Sequence, residues 1–180
     1  MKTWLQDKKE KYLDGWDRQA AIILLGSAVL LTLHRYLSRR KSFRDSLADY
    51  FIDHPLAGIY PYYYWFLTSA ITLLVLPMLV AKFGIKDRAC NYGFRLGNSK
   101  LGWGFALGGW LLMIPVMILA LHLFPSFQQK YPLSKVAATS WRVFIPYEIG
   151  YGIYMFSWEF FFQGFMLFGL EKKFGNYSIL

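Results

Sequence analysis

Acidic side chains are scarce in this chain: eleven Asp and Glu stand against twenty Lys and Arg. Cysteine is scarcer still. Cys90 stands alone, which excludes an internal disulfide and a cysteine-based zinc cluster. There are three histidines, His34, His54 and His122, and none belongs to an H-E-x-x-H arrangement. Charge of either sign reaches only 17% of residues, too little for an ordinary soluble domain. No repeat of solenoid period and no low-complexity tract is present. The one run of three basic residues, Arg39-Arg40-Lys41, follows an apolar segment, so a nucleic-acid partner is not expected.

What the chain has instead is apolar surface in blocks. Of its 180 residues 56% are hydrophobic and 20% aromatic, and they cluster rather than alternate. The fold class read from this is all-α: a polytopic transmembrane helical bundle of about four spanning helices. The spans fall near residues 16–37, 59–83, 101–124 and 143–170 of a single membrane domain covering 1–180. The net charge of +9 lies in the connections and suits anionic lipid headgroups, so membrane lipids are the expected surroundings.

The connections carry further expectations. Met1 to Arg18 mixes both charge signs and reads as a surface head. Trp16 and Tyr36 flank the first span, which reads as a retained helix rather than a signal peptide. Ser46 to Ile52 has the pattern of an interfacial helix, with Leu47, Tyr50 and Phe51 toward lipid. Tyr60-Pro61-Tyr62-Tyr63-Tyr64-Trp65 forms an aromatic belt, and Pro77 is expected to kink the second span. Gly104 and Gly108 make a G-x-x-x-G pair that predicts close packing within the bundle, with homodimer contact as the alternative. Pro146 predicts a kink near the start of the last span. His34 and His54 read as ordinary surface histidines, and His122 as interfacial. After Gly175-Asn176, the segment Tyr177 to Leu180 looks like the opening of another helix. Twelve of the twenty Lys and Arg fall on the side of the head, against eight on the other, which favours a cytoplasmic N-terminus.

The last span holds the functional question. Glu148 and Glu159 sit within an almost wholly apolar stretch, where a carboxylate costs several kcal/mol unless it faces a bundle interior or a watery cavity. Helical spacing puts them on nearly one face, three turns and roughly 16 Å apart, with Gln163 one turn beyond Glu159. The expectation is that Glu159 is housed inside the helical cluster.

The same stretch carries a resemblance. Glu159-Phe160-Phe161-Phe162-Gln163-Gly164-Phe165, followed by Leu167 and Lys172-Lys173-Phe174-Gly175, resembles the first motif of the CPBP family of intramembrane metalloproteases. Type II CAAX prenyl endopeptidases and bacteriocin-processing relatives belong to it. That motif reads Glu-Glu-x-x-x-Arg. Here Trp158 stands at the first-Glu position, Glu159 at the second, and Gln163 at the Arg position. The resemblance implies proteolysis in a bacterial-type plasma membrane, zinc as a cofactor and prenylated or membrane-proximal peptides as substrates. It makes Glu159 the candidate for activating water. The family's later motifs, F-x-x-x-H and H-x-x-x-N/D, do not occur here, so the chain reads as the N-terminal part of a longer family domain, inactive as a truncated piece. One alternative is a non-catalytic scaffold or immunity-type protein binding a partner through the same helices. Another is a transporter subunit with Glu148 and Glu159 on a proton path.

Overall fold

The computed structural model describes residues 18–94, 97–124 and 133–175. The head at 1–17, most of the connection at 125–132 and the segment 176–180 lie outside the described residues, and so do the expectations that fall on them. Among the described residues there are helices and no strand, as an all-α chain requires.

Four helices are long and apolar enough to cross a membrane: α1 (Arg18–Leu37), α3 (Tyr60–Ile85), α4 (Ser99–Leu123) and α5 (Trp141–Glu171, its last turn reaching Phe174). A short helix, α2 (Arg40–Ser46), lies in the connection between α1 and α3. The interfacial helix expected over Ser46–Ile52 is corrected by this. The helix comes earlier, because Leu47 leaves helical backbone (φ −127°, ψ −11°), and only a 3-10 turn follows at Ala48–Phe51. Tyr50 still faces outward, at 81% exposure.

Spacing explains the inner face of α1. Ala20, Ile23, Ser27 and Leu30 are buried, at the intervals of three and four that make one helical stripe. Leu24, Leu25 and Val29 stay exposed, as a lipid-facing side would. Pro61 sits in the first turn of α3, where its missing N–H costs nothing. Pro77 lies where the helix widens. The turns Ile71–Val75 and Val80–Ile85 on either side of it are π-wound, which relieves the clash of its ring with the preceding turn.

Two cores hold α1, α3 and α5 together. Near the start of α3 and α5, Ile59 and Phe66 pack with Ala137 and Tyr147. Farther along, Ile23, Leu73, Ala81, Tyr92, Phe161 and Phe165 form the second. The pairing shows α3 and α5 running in the same direction, and α1 opposed to them: the Gln19 amide at its start donates to the Gly169 carbonyl at the end of α5. The third span behaves differently. No residue of α4 is fully buried, and a Cβ at Gly102, Gly104, Gly108 or Gly109 would meet nothing within 4 Å. The expected packing of the G-x-x-x-G pair within the bundle is therefore not found among the described residues.

Candidate functional site

Along α5 the backbone is α-helical to Glu159 and π-wound from Phe160 to Phe168. Such wide turns recur at functional sites, because they re-aim side chains relative to a regular helix. Here the winding turns Phe160, Phe161 and Phe165 inward, the last two with no exposed surface. Glu159 and Gln163 are left on the outer side, both exposed. The one-turn contact between them is present: the Gln163 amide donates to Glu159 Oε2. The expectation that Glu159 is enclosed by the bundle is corrected. An inward Phe-rich face fills the core, so the polar pair faces out.

Beside the pair lies a groove of about 180 Å³, walled by Tyr92, Gly93, Phe94, Phe156 and Gly164. The short turn Ala89–Tyr92 forms its far side. Gly164 makes this approach achievable, since a Cβ there would stand 2.7 Å from the Tyr92 carbonyl oxygen. Gly93 adopts φ +91°, which suits glycine and closes the turn. Asp87 ties the turn down by accepting from the Asn91 amide at 2.6 Å and the Arg88 N–H at 2.8 Å. Tyr92 is 2% exposed and its ring stacks on Phe165 at 6.3 Å. Its hydroxyl is buried with no hydrogen-bond partner. Burial, and then the neighbouring Asp87 charge, push that hydroxyl up to about 12.

Trp158, next along the chain, points the other way. It stacks on Phe162 at 5.1 Å and meets the His34 ring edge-on at 5.5 Å. His34 is half-buried rather than on the surface, which corrects the reading of it as an ordinary surface residue. Its Nδ1 lies 3.1 Å from Thr72 Oγ1. The Thr72 hydroxyl also reaches the Thr68 carbonyl at 2.8 Å; with its proton given there, Oγ1 accepts from His34 Nδ1–H. Sequence spacing could not reveal this group, because Thr72 is 38 positions from His34.

The remaining candidates do not converge on Glu159. Glu148 is exposed in a separate cleft with Ser134, Phe144, Tyr147 and Tyr151, so the two carboxyls do not line one path. His54 caps its own loop, accepting the Leu56 N–H at 3.1 Å, and His122 Nδ1 donates to the Ile118 carbonyl at 2.9 Å. Zinc, implied by the motif resemblance, needs three or four protein ligands. Among the described residues no three His, Cys, Asp or Glu side chains come together. The described residues do not fit that metal.

The fold thus defines an all-α protein with four helices suited to crossing a membrane. No protein-family model, curated protein or solved structure matches the chain.

Proposed function

We propose that this chain is a non-catalytic membrane scaffold or immunity-type protein that presents the Glu159–Gln163 pair to a helix of another chain. One observation carries the reading: a carboxyl group stands exposed on a helix otherwise apolar enough to span a bilayer. Facing acyl chains, such a group costs about 2.5–3.5 kcal/mol on insertion scales. A partner helix bearing hydrogen-bond donors removes that cost and gains a specific contact. The pair is pre-organised for this, because Gln163 already holds one carboxylate oxygen and leaves the other open. The setting is a bacterial-type plasma membrane, with the N-terminus cytoplasmic.

A second reading rests on the motif itself. Glu159 and Gly164 keep their places in a CPBP-like sequence, and the carboxyl opens onto a groove. In that reading the chain holds one part of a hydrolytic site for prenylated or membrane-proximal peptides, and imidazoles from outside these residues complete it. A photo-crosslinker at Phe156, on the groove wall, separates the readings in native membranes. The scaffold reading predicts a discrete polypeptide adduct that disappears in Glu159→Leu; adducts to lipid alone contradict it. Stoichiometric zinc in the purified protein, with prenyl-peptide cleavage abolished by Glu159→Gln, would decide for hydrolysis.

A further inference from the structure

A further cleft lies elsewhere, in the connection from α1 to α3, walled by α2, the turn after it and the start of α3, and has a volume of about 540 Å³. Its position follows from topology. The segment joins the end of one membrane-length helix to the start of the next, so the cleft sits at the level of the lipid headgroups. Two arginines, Arg40 and Arg44, line it, and among the described residues no carboxylate does, although Asp45, Asp49 and Asp53 belong to the same connection. The rest of the wall is apolar or aromatic, with Phe43, Phe51, Ile52 and Tyr62 its largest side chains.

The cleft is built rather than incidental. The Arg40 guanidinium lies 4.7 Å from the centre of the Tyr62 ring and 5.9 Å from that of Trp65. The Tyr62 hydroxyl is itself held, donating to the Leu133 carbonyl. Phe43 is 5% exposed and packs on Phe51 at 5.8 Å and Tyr64 at 5.6 Å, fixing the floor. Arg44 follows Arg40 by four residues on α2, which puts both guanidiniums on one helix face. Two forked donors on an aromatic-walled cleft match a phosphate group with an apolar body attached.

We propose that this cleft binds the phosphate group of an anionic amphiphile, a phospholipid whose acyl chains lie along Phe51, Ile52 and Tyr62. The shared chemistry with a free phosphate ion is the guanidinium–phosphate contact; the aromatic and aliphatic wall is what a free ion would leave unused. This site is independent of the Glu159–Gln163 groove and of any function assigned to it.

The full chain in detergent, titrated with short-chain phosphatidylglycerol, phosphatidylcholine and inorganic phosphate, tests this by native mass spectrometry and tryptophan fluorescence. Phosphatidylglycerol is expected to be retained in preference to phosphatidylcholine. Arg44→Gln should weaken it about fivefold, and the Arg40→Gln, Arg44→Gln double variant roughly 25-fold. Arg40→Lys keeps the charge on Tyr62 and should restore part of the binding to Arg40→Gln, which controls for misfolding. Arg142→Gln, outside the cleft, should change nothing. Equal retention of the two lipids, or a double variant that binds like the parent, overturns the site. Displacement by inorganic phosphate as effective as by phosphatidylglycerol overturns the lipid as occupant and assigns the arginines to a free ion.

Discussion

Replacing Gly164 by alanine sets two known effects against each other at one position. In an exposed helix the substitution favours the helix by about 1 kcal/mol. Here the new Cβ would stand 2.7 Å from the Tyr92 carbonyl oxygen, with Phe160 Cδ2 at 2.9 Å and Cε2 at 3.1 Å. A phenylalanine ring can tilt away; a backbone carbonyl moves only if the whole Ala89–Tyr92 turn moves. Overpacking of this kind costs typically about 1–3 kcal/mol, so the net expectation is a loss of up to about 2 kcal/mol and a displaced turn. Gly108→Ala is the control, since its Cβ would meet nothing within 4 Å, and it should hold or raise stability. Cys90 provides the readout: it is the one cysteine of the chain, half-buried, and lies in the turn that must shift. A thiol-reactive dye followed during heating in detergent should report a lower midpoint for Gly164→Ala and faster labelling before melting. A midpoint at or above the parent, with unchanged labelling, would refute the close approach of the turn to α5.

Other expectations follow from the same packing. Tyr92 holds its proton to about 12 when folded and about 10 when not. The folded state therefore keeps a proton that the unfolded chain loses, so the stability due to this group is full below pH 10 and falls as pH rises toward 12. Melting midpoints across that window should drop more steeply for the parent than for Tyr92→Phe. Because the Tyr92 hydroxyl is buried without a partner, Tyr92→Phe at neutral pH should be neutral or slightly stabilising; a loss above about 1 kcal/mol would show a missed hydrogen bond. Thr72→Val removes the acceptor for His34 Nδ1–H, and nitrogen NMR of labelled histidine should show the ring leaving a single tautomer; an unchanged spectrum would contradict the assigned donor. Phe66, 3% exposed among Tyr147, Tyr151, Tyr154 and Trp65, should cost about 3–5 kcal/mol when cut to alanine, read as the shift in unfolding midpoint.

Much of the architecture was legible in the sequence because each span is a contiguous apolar block. Arg18–Leu37 and Tyr60–Ile85 fall within a few residues of the blocks at 16–37 and 59–83. The Glu159–Gln163 contact was legible too, being a one-turn pair on a helix. Which way the pair faces was not. On α5 nearly every neighbour is apolar, so no stripe marks an inner side, and the π-winding from Phe160 rotates the faces beyond where regular spacing puts them. His34 departs from a surface position for another reason. Its partners, Thr72 and Trp158, come from two other helices, and no local pattern announces contacts made at that distance. The G-x-x-x-G pair predicts close approach but does not name the surface it approaches, and in α4 that surface is none of the described residues.

The partner contact proposed for this chain requires the outward stance of position 159 beside an inward-facing 161. Nitroxide labels placed singly at these two sites in a Cys90→Ser background, in lipid nanodiscs of the purified chain, measure this by electron paramagnetic resonance. The label replacing Glu159 should be mobile and open to a paramagnetic relaxant, while that replacing Phe161, which has no exposed surface, should be immobilised and shielded. A label at 159 as immobile and shielded as the one at 161 would contradict the outer-face site and the partner contact proposed for it.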